Sequence, residues 1–128
     1  MVQFIGDKIV EPKYAKVMDD RFTILSESED HKALKRRAIN LLKKAGAKTI
    51  VRESKIKGIN GFVDVVGYWP SLTVAIECGK TSKERIATLQ SHYDIVIHLP
   101  YCWTPKFQVQ GITLLRKIRS EISIREGN

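Results

Sequence analysis

Two apolar runs of β type, separated by a short turn, dominate the middle of the chain, and each contains one carboxylate. Residues 61–81 read GFVDVVGYWPSLTVAIECGKT, with Asp64 in the first run and Glu77 in the second. A buried carboxylate must be paired, hydrogen-bonded or bound to a metal, because an isolated one costs several kcal/mol to desolvate. Two of them on neighbouring strands therefore indicate a functional site.

Length and composition describe an ordinary globular domain. The chain has 128 residues, of which 43% are apolar and 28% charged, and no segment approaches the ~20 continuous apolar residues of a membrane span. The first 16 residues lack the pattern of a signal peptide, so we expect a cytoplasmic protein with no membrane partner. Cys78 and Cys102 have no CxxC spacing, which suits two reduced thiols or, less often, one bridge.

The charge of the chain is strongly positive. Twenty-two Lys and Arg residues against 14 Asp and Glu give a formal net charge of +8 and a pI near 9.6. Such a charge favours a polyanionic partner. Many basic proteins nevertheless bind no nucleic acid, so the positions of the charges must decide.

A helix with a basic outer surface follows an irregular N-terminal segment. Residues 1–25 contain short β-type pieces broken by Gly and Pro, typical of an edge hairpin or a loose arm. Ser26 and Glu29 have the spacing of a capping box, and Gly46 is a natural helix end. The apolar positions at helical spacing between them are Leu34, Ala38, Leu41, Leu42 and Ala45.

The rest of the chain predicts an α/β fold. Segments 48–56, 62–68 and 72–78 read as a three-stranded meander, and Thr81 with Glu84 repeats the capping-box spacing before a short helix. The apolar run at 93–100 predicts a buried strand, which is expected to lie parallel to its predecessor because a helix connects the two. A helix over 106–124 closes the single domain of 1–128. The order is αβββαβ over a core of 26–99, with a mixed central sheet flanked by helices.

Strand alternation points Asp64 and Glu77 into one cleft if their strands are hairpin partners. Their like charges then repel unless a cation lies between them. Mg²⁺ or Mn²⁺ suits this need, because such ions prefer oxygen ligands and bind through one or two carboxylates together with water and substrate phosphate. Lys80 offers a cation beside them. The alternative is that both acids are strand-end residues satisfied by nearby Lys or Arg side chains.

The order of these elements resembles the core of the PD-(D/E)XK nuclease superfamily, which includes restriction endonucleases and archaeal Holliday-junction resolvases. The resemblance covers about residues 26–99 and implies a restriction-endonuclease-like fold. It implies that Asp64 and Glu77 are catalytic metal ligands, that the Cys78 carbonyl is an added ligand, and that Lys80 is the catalytic cation. Two positions depart from the pattern. Val63 replaces a frequent proline, and Gly79 occupies the lysine position, one residue before Lys80.

The resemblance also implies an acidic residue on the first core helix, for which Glu29 stands near the right place, as does Glu27. Serving the helix terminus is the simpler role of Glu29. Glu53 either joins the site or pairs with Lys55 or Arg52 across solvent. His31 either approaches a phosphate or metal-bound water or is an ordinary half-buried residue. Lys83 or Gln90 on the second helix can replace the motif lysine; otherwise Gly79 indicates lost catalysis.

Five basic residues can flank the acidic cleft and contact phosphates. They are Lys32, Lys35, Arg36, Lys55 and Lys57. Tyr68 and Trp69 lie in a turn, where their rings either stack on bases and partners or pack in the core. We expect a Mg²⁺-dependent DNA endonuclease, structure-selective or weakly sequence-specific, acting as a homodimer without an organic cofactor. The alternative is a noncatalytic nuclease-like module that recruits DNA or protein, and RNA stays open as a substrate.

Overall fold

The computed structural model describes residues 3–5, 8–10, 15–20, 27–101 and 105–126, with only the backbone of the first two strands and of 105–112. The elements in chain order are β1 Gln3–Ile5, β2 Lys8–Val10, β3 Lys16–Asp19, α1 Glu29–Lys44, β4 Thr49–Lys55, β5 Phe62–Tyr68, β6 Thr73–Cys78, α2 Lys83–Gln90, β7 Ile95–Leu99 and α3 Pro105–Arg125. Within these described residues, no helix is both long and apolar enough to cross a membrane.

The main sheet has five strands in the order β3-β4-β5-β6-β7. The central strands β4, β5 and β6 form the antiparallel meander that the sequence predicts, and β7 joins β6 in parallel. This is an α/β fold with a mixed sheet flanked by helices, as predicted. β1 and β2 form a separate antiparallel hairpin, whereas β3 adds a parallel edge strand that the sequence did not predict. The β-type piece at 21–25 lies outside the described residues.

Both connecting helices begin later than their capping boxes predict. The N-cap of α1 is Ser28, whose Oγ accepts a hydrogen bond from the backbone N of His31 at 3.1 Å. Ser82, rather than Thr81, caps α2. Where several hydroxyl residues precede a helix, sequence spacing does not decide which one takes the extended N-cap conformation. The end of α1 is as predicted, because Gly46 has a φ of +87°.

Two apolar clusters hold the sheet and helices together. The larger cluster joins α1 and α3 to one face of the sheet, with Ile118 and Ile122 of α3 fully buried. Gly67 permits this packing, since a side chain there would approach Leu42 of α1 to 2.9 Å. The smaller cluster includes Leu89 of α2 and the β5 residues Val63 and Val66.

Candidate active site

Asp64 and Glu77 lie where β5 and β6 stop pairing. The antiparallel ladder runs from Tyr68–Thr73 to Val65–Ile76, and Asp64 and Glu77 occupy the next facing positions. There, side chains replace backbone carbonyls as hydrogen-bond acceptors. The backbone N of Cys78 donates to Asp64 Oδ2 at 2.8 Å, and the N of Asp64 donates to Glu77 Oε1 at 3.4 Å. The structure therefore brings these two carboxylates together at a gap between strands.

A histidine from α1 contacts the first carboxylate. His31 Nε2 lies 3.2 Å from Asp64 Oδ1, and His31 Nδ1 lies 3.1 Å from the hydroxyl of Tyr101, just after β7. The Ser28 cap fixes the first turn of α1, which carries His31 over the sheet. Of the two roles open to His31 from sequence, the structure favours a place in the site, since it links Asp64 to Tyr101.

Arg85 of α2 contacts the second carboxylate. Its Nη2 lies 3.6 Å from Glu77 Oε1 and also donates to the carbonyl of Phe62 at 2.5 Å. Glu77 is only 8% exposed. Burial, followed by the nearby charge of Asp64, raises the pKa of Glu77, and Arg85 only partly opposes this. Arg85 therefore does not fully offset the burial and the neighbouring charge that disfavour the ionised form of Glu77.

A third acid lies on the neighbouring strand, but it belongs to a buried ion cluster. Glu53 lies between two paired residues of β4, Arg52 and Ser54, and so falls opposite Asp64 of β5. Its φ of +50° is a backbone conformation that residues other than Gly rarely adopt. It accepts a short hydrogen bond from Lys35, whose Nζ also donates to Glu27 at 2.8 Å. Burial opposes the charge of Lys35, but the bonds to Glu27 and Glu53 outweigh burial and raise its pKa.

This cluster corrects one predicted phosphate contact. Lys35 is 7% exposed and bound to two carboxylates, so it is an internal counterion rather than a surface cation. Lys32 and Arg36, one turn of α1 apart, border a neighbouring cavity of about 230 Å³ with Lys35 and Glu53 at its wall. Lys55 and Lys57 are exposed on and after β4, where the sequence places them.

The other predicted catalytic residues lie away from the carboxylate pair. Glu29 is an exposed first-turn residue of α1 that contacts Lys32 at 3.3 Å, so the structure gives it neither the predicted capping-box role nor a contact with the pair. Lys80 is exposed and forms no hydrogen bond or ion pair with the part of the chain that the structure describes. Lys83 and Gln90 are exposed on α2 and are also uninvolved in the site.

The motif-lysine position itself is closed to a side chain. Gly79 has a φ of +84°, and a Cβ there would approach the Tyr101 ring to 2.4 Å. Gly79 therefore accommodates Tyr101 rather than leaving space for a lysine. The positive φ of Gly79 does not bring Lys80 into contact with Glu77.

Sequence reasoning missed Arg85 and Tyr101. Arg85 lies in the first turn of α2, which starts soon after β6 and so stays near the end of that strand. β6 and β7 are parallel, so Tyr101, two residues past β7, emerges at the same sheet edge as Gly79. The parallel pairing of β6 and β7, which the sequence predicts, was therefore the signal that could have placed Tyr101 near Gly79. Of the two roles that the sequence left open for the turn aromatics, Trp69 takes core packing at 6% exposure, and Tyr68 is half-buried.

The donor set suits a hard cation held by few protein ligands. Among the described residues, no group of three or more His, Cys, Asp and Glu side chains is arranged to hold a metal. Two neighbouring carboxylates match the ligand set that Mg²⁺ completes with water and phosphate. The buried Cys78 thiol does not suit it, but the Cys78 N–H faces Asp64, and the carbonyl of a strand residue points the same way as its N–H.

Comparisons with protein-family models, with curated proteins and with solved structures gave no match.

Proposed function

We propose that this protein is a metal-dependent deoxyribonuclease that hydrolyses phosphodiester bonds. The observation that carries the proposal is the pair Asp64 and Glu77, held together where β5 and β6 separate. Burial is the larger cause of the raised pKa of Glu77, and repulsion by the charge of Asp64 is the second. A divalent cation removes that repulsion. The αβββαβ order supports membership of the PD-(D/E)XK superfamily.

The chain provides the ligands and the residues that position them. Asp64 and Glu77 would hold Mg²⁺ or Mn²⁺, with the Cys78 carbonyl as a further oxygen ligand. When bound, such an ion supplies Lewis-acid stabilisation of the phosphate and a water of lowered pKa. His31 holds Asp64 Oδ1, and the Cys78 N–H holds Oδ2, so the carboxylate keeps one orientation.

Arg85, rather than Lys80, takes the role of the catalytic cation in this proposal. Its guanidinium has several N–H donors, of which the contacts with Glu77 and Phe62 use only some. The remaining donors can bind a phosphate oxygen and stabilise the charge that develops on it during attack. This assignment also explains how a chain with Gly79 at the motif position retains a cation beside Glu77.

The surroundings favour a nucleic acid as the substrate. Arg36, Lys55 and Lys57 are exposed, Lys32 is half-buried, and the chain carries a net charge of +8, which favours contacts with phosphates. These contacts address the backbone, so they support weak sequence specificity. A homodimer would set two such sites against two strands, and this stays a prediction from the resemblance.

Cleavage assays test the proposal. Labelled single-stranded, duplex, flap and four-way-junction DNA, with single-stranded RNA alongside, are incubated with Mg²⁺, Mn²⁺ or EDTA. We expect metal-dependent cutting of DNA that falls at least ~100-fold in Asp64→Asn and in Glu77→Gln. Glu84→Gln, an exposed acid on α2, is the matched control and keeps full activity. Undiminished cutting in both site variants would refute the proposal.

The second candidate is a noncatalytic module that binds DNA or recruits a protein. The observation that favours it is Gly79, which lies beneath Tyr101 where the resemblance expects a lysine. The module predicts tight DNA binding without cutting, unchanged by EDTA and by Glu77→Gln. The nuclease predicts cutting that both treatments abolish, so one set of reactions separates the two candidates.

A further inference from the structure

We propose that Tyr101 is a stacking platform for an unpaired base, so that the site selects single-stranded nucleotides over intact duplex. The inference rests on the proposed function, because it defines which substrate reaches the carboxylate pair. It assigns Tyr101 to substrate binding and gives it no part in the chemical step.

Exposure distinguishes Tyr101 from the other aromatic residues that the structure describes. It is 44% exposed, whereas Phe62, Tyr68, Trp69 and Tyr93 are buried or half-buried. A large ring left in solvent beside a cleft loses the burial free energy that rings inside the fold gain. Binding a flat apolar partner would recover it, and every nucleobase has such a face.

The ring is also fixed before any ligand arrives. It packs over Gly79, where the absence of a Cβ leaves the space it occupies, and its hydroxyl bonds to His31 Nδ1 at 3.1 Å. A side chain held at both its ring and its hydroxyl has little rotamer freedom left to lose on binding. Such preorganisation strengthens binding by lowering its entropic cost.

The location connects the ring to the proposed chemistry. One imidazole ring separates the Tyr101 hydroxyl from Asp64, since His31 contacts both. A nucleotide whose phosphate lies at Asp64 and Glu77 can therefore place its base on Tyr101. In an intact duplex both faces of an internal base are already stacked, so only an unpaired or splayed base can use the platform.

Binding measurements in the Glu77→Gln background test the inference without requiring cleavage. The probes are a single-stranded 12-mer with one 2-aminopurine and the same 12-mer in a duplex. We expect Tyr101→Ala to weaken binding of the single strand by about 5- to 150-fold, the range for one lost base stack, with duplex binding unchanged. Tyr101→Phe, which keeps the ring, should stay within about twofold. Ile124→Ala, an exposed apolar truncation on α3, is the control.

Gly79→Ala provides a second route to the same result. The new Cβ cannot share space with the ring, so Tyr101 must move and single-strand binding should fall. Because both variants remove one interaction, the double variant should bind no more weakly than Tyr101→Ala alone. Thermal melting confirms that each variant is folded, and quenching of 2-aminopurine by wild-type Tyr101 reports the stack directly.

Three results would overturn the inference. In the first, Tyr101→Ala binds the single strand as tightly as its parent, the Glu77→Gln variant. In the second, Tyr101→Ala loses single-strand and duplex binding equally. In the third, the parent itself binds only duplex. In each case metal-dependent cleavage of duplex or junction DNA would leave the proposed nuclease standing, so the two proposals fail separately.

Discussion

Replacing Lys35 should destabilise the protein strongly, because its side chain is a buried counterion. If Lys35 were instead a surface residue that binds phosphate, its replacement would leave the stability of the fold unchanged. The side chains of Glu27 and Glu53 are 7% and 6% exposed, and the single ammonium of Lys35 contacts both. Lys35→Met keeps most of the apolar stem but removes the ammonium that contacts both carboxylates. Breaking a buried ion pair from one side costs roughly 3–5 kcal/mol.

The neighbouring cavity sets the expected cost at the lower end of this range. Its volume of about 230 Å³ lets water approach Glu53 and Glu27 once the ammonium is gone. We therefore expect a loss of about 3 kcal/mol in the free energy of unfolding, which for a chain of this size lowers Tm by about 10 °C.

Urea unfolding at neutral pH measures this change. Lys44→Met, at the exposed end of the same helix, is the matched control and should stay within about 0.5 kcal/mol of wild type. Glu27→Gln and Glu53→Gln added to Lys35→Met should restore more than half of the loss, since neutral amides are less costly to bury than charges. If Lys35→Met unfolds within about 1 kcal/mol of wild type, the buried-counterion account is wrong.

Three further predictions concern the site. The raised pKa of Glu77 means that its carboxyl stays protonated to higher pH in the folded protein than in the unfolded chain, where its pKa is near 4.5. The free energy of unfolding therefore falls as the pH rises from the unfolded-state pKa through the folded-state pKa. Glu77→Gln should remove the fall and unfold at higher urea than wild type at pH 7, and a lower midpoint would contradict this. Arg85→Ala should cut DNA about 100-fold more slowly, with Arg85→Lys partly active and Lys80→Ala unchanged; the reverse ranking would restore Lys80 as the cation. Burial and the nearby carboxylates raise the pKa of the Cys78 thiol, so in a Cys102→Ser background iodoacetamide at pH 8 should label it only after unfolding, and rapid native labelling would refute this.

Regular periodicity explains why much of the fold could be predicted. Val74, Ile76 and Cys78 alternate with Ala75 along β6, and the structure buries the two sets in different clusters. Helical spacing likewise predicted the apolar stripe of α1, in which Leu34, Ala38 and Leu42 are buried. Such patterns are reliable because burial of one strand face or one helix stripe leaves a direct trace in the sequence.

The deviations arise where tertiary contacts override local pattern. Lys35 lies beside the apolar stripe of α1, and sequence alone cannot show that two glutamates from separate segments meet it there. The left-handed conformation of Glu53 has no sequence signal either. Its backbone strain is of the order of 1–3 kcal/mol and persists because the surrounding contacts hold it.

The carboxylates of the site were predictable, and most of their partners were not. Asp64 and Glu77 stand out because a charged residue inside an apolar strand needs an explanation. Arg85 sits among the polar residues of a short helix, so only its measured approach to Glu77 distinguishes it. The sequence favoured Lys80 as the cation of the site because it lies three residues from Glu77 along the chain. In the fold, Arg85 is the cation that contacts Glu77.

The central claim is that Asp64 and Glu77 form a divalent-cation site, and calorimetric titration with Mn²⁺ tests it most directly. Wild type and Glu84→Gln should bind the ion with the same affinity and stoichiometry, and Glu77→Gln should show no saturable binding. Equal binding by wild type and Glu77→Gln, or none by wild type at millimolar Mn²⁺, would contradict the account.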